Sequence, residues 1–138
     1  MSSQPTVSTS TFRWAGVLYL LIIIFGVFGE ALLRAPVIVS GDAEATAANI
    51  LASNGSFYLS LATDLGMLLC DVAVAVLLFV IFRPVSKTAA LLAAGFRLTQ
   101  TAILGLNLLN LYAGAVLVMH QGGLAGFSTE QTNALGLF

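Results

Sequence analysis

The chain has 138 residues, 59% hydrophobic and 8% charged, with a mean hydropathy of +1.01 and a formal net charge of −1. A soluble domain carries about 25% charged residues, so this composition excludes a soluble globular protein and leaves lipid as the solvent for the outer face; the length allows one domain at most. Five Lys and Arg against six Asp and Glu exclude a nucleic-acid-binding patch, and the single cysteine, Cys70, excludes an intramolecular disulfide and an all-thiolate metal site.

Residues 1–12 read as a disordered cytoplasmic tail, rich in Ser and Thr and broken by Pro5. A single membrane domain over 13–138 follows. Arg13 beside Trp14 suits a membrane–water interface. Residues 14–33 form an apolar run of about 20 residues, enough to cross about 30 Å of hydrocarbon. A secretory signal peptide is the rival reading; the long polar lead, the length of the apolar run and the lack of a small-x-small cleavage site favour an uncleaved helix. Glu30 and Arg34 lie four apart at its far end, where they share a face and can pair.

Residues 36–56 connect. Pro36 disfavours helix at Ala35, and 42–53 has the composition of a short surface helix with its acids, Asp42 and Glu44, at the start, where they suit the helix dipole. Asn54-Gly55 is a stop signal. The second crossing is 57–82. Arg83-Pro84-Val85-Ser86-Lys87 makes a basic corner, and 88–119 is a third apolar stretch, longer than the hydrocarbon is thick, with Gly105 and Gly114 as the places for a bend. Ala89, Ala90, Ala93 and Ala94 supply small-xxx-small spacing for close helix approach. After a flexible loop, Ser128-Thr-Glu-Gln131 matches a capping box, and a further helix starts over 129–138. The chain stops there, which predicts a truncated larger bundle. Arg13, Arg83 and Lys87 fall on one side of the three crossings. By the positive-inside rule the protein is a multi-pass protein of the inner (plasma) membrane with a cytoplasmic N-terminus.

The polar residues inside the apolar segments carry the chemistry. Asp64 and Asp71 are seven apart and share a face of the second helix. Counting from the basic corner, Asp71 lies about 16 Å deep and Arg97 about 14 Å, so an antiparallel hairpin brings them to one level. The same count places Asp64 and Asn107 together at about 27 and 28 Å. Arg97, Gln100, Thr101 and Asn107 fall within a wedge of roughly 120° on the third helix. Three readings compete: a charge pair and hydrogen bonds that fix helix register, a substrate or proton path lined by Asp64, Asp71, Arg97, Gln100 and Asn107, and Arg97 snorkelling to the headgroups. A charge at mid-bilayer costs about 2.5–3.5 kcal/mol on insertion scales, so the wedge should face a neighbouring helix or a water-filled cavity. Cys70 reads as a small buried hydrophobe. His120 reads as an interface anchor, with no partner at metal-ligand spacing. No nucleophile motif, phosphate-binding Gly-rich loop, HExxH or CxxC is present.

Four runs, Gly41-Asp-Ala-Glu-Ala-Thr-Ala-Ala-Asn-Ile, Arg83-Pro-Val-Ser-Lys, Ala89-Ala-Leu-Leu-Ala-Ala-Gly-Phe-Arg97-Leu and Leu106-Asn-Leu-Leu-Asn110, together resemble the N-terminal part of the bacterial membrane family catalogued as domain of unknown function 4386. The resemblance covers nearly everything from Arg13 onward. It implies a helical bundle with more membrane helices than this chain, and it carries no activity. The chain departs from it by stopping where the fourth helix should begin.

The expected fold is therefore all-α, a polytopic transmembrane bundle with three spanning helices. The expected function is non-enzymatic: a polar intramembrane face, formed from Asp64, Asp71, Arg97, Gln100 and Asn107 with Glu30 and Arg34 nearby, that packs the bundle or binds a small ligand or lipid. The alternative is a transporter or proton-linked carrier component whose path is lined by Asp64, Asp71 and Arg97; a membrane-embedded enzyme using Asp64 and Asp71 is a third reading. No cofactor or metal is expected. The expected partners are the lipid bilayer and, through the polar wedge, further copies of the chain.

Overall fold

The computed structural model describes residues 7–119. The first helix, α1, spans Thr9–Val27 and continues as a π-helix over Phe28–Arg34. A short α2 covers Ala43–Ala52, and two long helices follow, α3 (Asn54–Phe82) and α4 (Lys87–Met119). The described residues contain no strand, and the fold is all-α. Three of its helical stretches are long and apolar enough to cross a membrane: Thr9–Arg34, Gly55–Phe82 and Lys87–Leu117. Most of their side chains are uncovered, including Trp14, Ile23, Leu69 and Leu106, each more than half exposed. Outward-facing apolar surface on this scale is consistent with lipid as the solvent.

The helix ends follow from local chemistry. At the start of α1 the Ser8 side chain accepts the Ser10 N–H at 3.2 Å and its carbonyl accepts the Thr11 N–H at 3.0 Å. That cap opens the helix at Thr9, so residues 9–12, assigned from sequence to the tail, belong to α1. Asp42 caps α2 by accepting the Ala45 N–H at 2.9 Å. Ser53 closes α2, donating to the Asn49 carbonyl, and opens α3, its own carbonyl accepting from Phe57. Asn54-Gly55, read as a stop, therefore lies inside the first turn of α3, with the break one residue earlier. Ser86 begins α4: its hydroxyl accepts from Ala89 and its carbonyl from Ala90. The helix then runs 33 residues, unbroken at Gly105 and Gly114. The expected further helix at 129–138, the flexible loop and His120 lie outside the described residues.

The chain divides into two compact units. Met1–Phe25 and Leu65–Gly105 form the first. Its buried residues include Ala15, Val74, Ala75 and Ala90, and the Phe25 ring sits close over Gly66, where an added Cβ would lie 3.3 Å from it. Gly26–Asp64 and Leu106–Phe138 form the second. Its core joins Val37, Ile50, Phe57 and Ala115, bordered by Leu61, Leu111 and Met119. The connection into α2 is tied to this core by side-chain hydrogen bonds. Thr46 exchanges bonds with the backbone of Val39, and Asn49 donates to the Val37 carbonyl. Gly41 turns the chain with φ at +83°, which suits glycine. Replacing Asp42 with Ala should lower stability by about 1 kcal/mol, and Asp42→Asn by much less, because only the first leaves the Ala45 N–H without its acceptor. Thermal unfolding in mild detergent, followed by circular dichroism, measures both.

Candidate functional site

Each unit encloses one arginine–aspartate pair. In the first, Asp71 stands on α3 among apolar neighbours and is only 2% exposed. Arg97 of α4 donates from Nη2 to its Oδ1 at 2.5 Å. The two helices run antiparallel and rise from the basic corner on the same side, so the residue counts from that corner, 11 back to Asp71 and 10 forward to Arg97, bring the side chains to one level. The Arg97 guanidinium also lies over the Tyr19 ring of α1, 5.0 Å from its centroid, so the cation is met by a carboxylate and by an aromatic face. Thr101, one turn on, sends its hydroxyl back to the Arg97 carbonyl at 2.9 Å and satisfies itself within α4. Arg97 Nε is buried without a hydrogen-bond partner among the described residues.

In the second unit, Arg34 forks between two carboxylates. Nη1 donates to Glu30 Oε2 at 2.7 Å, and Nη2 donates to Asp64 Oδ2. Glu30 is largely exposed, whereas Arg34 and Asp64 are mostly covered. The π-helical turn sets this geometry, closing with a bond from the Ala35 N–H to the Glu30 carbonyl five residues back. Gly29, within it, lies against Thr63 of α3. A Cβ there would come within 2.7 Å of Thr63 Oγ1 and 3.4 Å of Asp64 Oδ1. The bare backbone at Gly29 leaves room for the Thr63 and Asp64 side chains beside it. Arg34 Nε is buried without a partner among the described residues.

These positions revise one sequence expectation. Asp64 takes Arg34, not Asn107, which is exposed on α4. The depth count considered only α3 and α4 and left out the end of α1; a guanidinium also answers a carboxylate far better than a neutral amide does. The polar wedge of α4 is likewise split. Thr101 is buried and Arg97 mostly covered, whereas Gln100 and Asn107 are exposed. Asp64 and Asp71 each engage an arginine of their own unit, and Glu30 and Arg34 meet as their i, i+4 spacing suggests. Sequence reasoning missed Tyr19, Gly29 and Thr63. Tyr19 had a signal, a phenol in an otherwise apolar stretch. Gly29 had none, since a glycine that admits another helix reads like any other.

Three span-length apolar helices and two intramembrane-type charge pairs define the class: an all-α protein with the features of a polytopic membrane protein. Within that class the chain belongs to the family of domain of unknown function DUF4386, whose model matches residues 14–138. No curated protein and no solved structure matches it.

Arg34→Gln should cost about 3 kcal/mol, because it strands the covered Asp64 carboxylate. Glu30→Gln should cost less than about 1 kcal/mol, because its carboxylate is in contact with solvent or headgroups. Chemical unfolding in detergent micelles compares the two; equal losses would contradict this division of labour.

Proposed function

We propose that the chain is a non-enzymatic integral membrane protein whose intramembrane arginine–aspartate pairs fix the packing and register of its helices. The observation that carries this reading is Asp71. It is almost wholly buried and bonded to Arg97, which Tyr19 covers. Such an arrangement keeps both charges out of lipid and gives α3 and α4 one preferred alignment. A charge that moves a substrate or proton needs access; this one is enclosed. Arg13, Arg83 and Lys87, all exposed, support a cytoplasmic N-terminus in an inner (plasma) membrane.

One observation favours a second reading, a carrier component. Both arginines keep a buried Nε without a partner among the described residues, and each spends one nitrogen on its aspartate. An anionic substrate or a water chain would find unspent donors there.

A double-mutant cycle separates the two. Asp71→Asn and Arg97→Gln should each cost about 3–5 kcal/mol, and the double variant should recover much of that, since both charges are then gone. Proton leakage into vesicles loaded with a pH-sensitive dye should stay the same in all of them. Additive losses in stability, or leakage that the wild type supports and Asp71→Asn abolishes with the fold intact, would overturn the structural reading in favour of the carrier.

A further inference from the structure

Charge is divided unevenly between the two units. The first holds Arg13, Arg83, Lys87 and Arg97 against a single carboxylate, Asp71, which Arg97 answers. Three exposed cations, Arg13, Arg83 and Lys87, therefore stand in a unit whose one carboxylate is already paired. Among the described residues of the second, Glu30, Asp42, Glu44 and Asp64 outnumber Arg34. The first unit also has an open groove of about 460 Å³. Ser10, Thr11, Trp14 and Leu18 of α1 line one wall, and Ala73, Val76 and Leu77 of α3 the other. Its walls are mostly apolar, its size is that of a small-molecule site, and its two hydroxyls, Ser10 and Thr11, sit together at one end of the α1 wall.

The groove has a direction. Along α1 it runs from Ser10 to Leu18, and α3 passes it toward the basic corner. Leu77 lies six residues before Arg83, about 9 Å along the helix axis. Arg83 leans over the Phe79 ring, its guanidinium 5.9 Å from the centroid, on the stretch of α3 between groove and corner. Arg13 is next to Trp14 on α1. An occupant must therefore be apolar along its length, with an anionic, hydrogen-bond-accepting end.

We propose that this groove is a binding site for an anionic phospholipid. One acyl chain lies between α1 and α3 against Trp14, and the phosphate is held by the Ser10 and Thr11 hydroxyls under the field of Arg13, Arg83 and Lys87. A zwitterionic lipid would fill the groove equally well but would gain nothing from three unanswered cations. A basic residue near an anionic surface is worth roughly a fivefold gain in partitioning, so the site discriminates by headgroup charge.

Trp14 is the chain's only tryptophan and reports on the groove directly. The full chain is reconstituted in phosphatidylcholine vesicles in which a minor fraction of the lipid is exchanged for brominated phosphatidylglycerol or, in parallel, brominated phosphatidylcholine. Bromine on the acyl chain quenches tryptophan only at contact. The expected result is an apparent preference of about threefold or more for the anionic quencher, declining as salt screens the cations. It should fall to about one in the variant R13Q/R83Q/K87Q. It should also fall in Val76→Phe, which blocks the groove at a residue already 57% exposed and so spares the fold. Equal quenching by the two lipids would overturn the proposal. So would a preference unchanged in Val76→Phe, which would mean accumulation at a basic surface and no seat in the groove. The salt titration needs no variant, so it tests the electrostatic part even if the triple substitution fails to fold.

Discussion

A carboxylate in the middle of an apolar helix sets the terms for everything around it. Asp71 is cut off from solvent, and an ion of that kind costs several kcal/mol to bury alone. Arg97 removes most of that cost, but only if α3 and α4 keep one alignment along their axes and one rotation about them. Apolar helices in lipid have little else to choose one register over another, because the tails are as apolar as leucine. The ion pair adds little net stability over a well-packed apolar pair of the same volume. On the proposed reading its contribution lies in what it forbids: any slip of one helix past the other separates two charges that are largely covered from solvent.

The second pair works to the same end by different local means. Arg34 comes from a helix whose last turns are wound wider than α, and a glycine in those turns packs against Thr63 and Asp64. Wider winding loosens the regular i to i+4 bonding and is found mostly as single turns. Here it runs for seven residues and puts Glu30 and Arg34 where one guanidinium serves two carboxylates. The exposed Glu30 is the weaker partner. Asp64, mostly covered, makes the geometry matter.

The elements that could be read from sequence are those governed by counting. Three apolar runs of spanning length follow from hydropathy, and the level shared by Asp71 and Arg97 follows from rise per residue and a corner marked by Arg83 and Pro84. Counting fails where winding changes or where a third helix intervenes. Depth alone matches Asp64 with Asn107, but the π-helical end of α1 brings Arg34 to Asp64. It also fails at helix ends, where one side chain decides. Ser8 moves the start of α1 into what reads as a tail, and Ser53 moves the break that Asn54-Gly55 marks by composition. The wedge on α4 was legible as a stripe, but not its division, because helical periodicity gives angle and not what stands opposite.

Ser53 leaves no slack where it sits. It is the last bonded residue of α2 and the first of α3, giving its N–H to one and its carbonyl to the other. One residue inserted there would turn whatever follows by about 100° relative to whatever precedes. Either α3 rotates, carrying Phe57 out of its core and Asp64 away from Arg34, or α2 swings and takes Ile50 from the same core. The junction therefore cannot change length and keep this core. The turn around Gly41 hands on no helix phase and carries no such constraint.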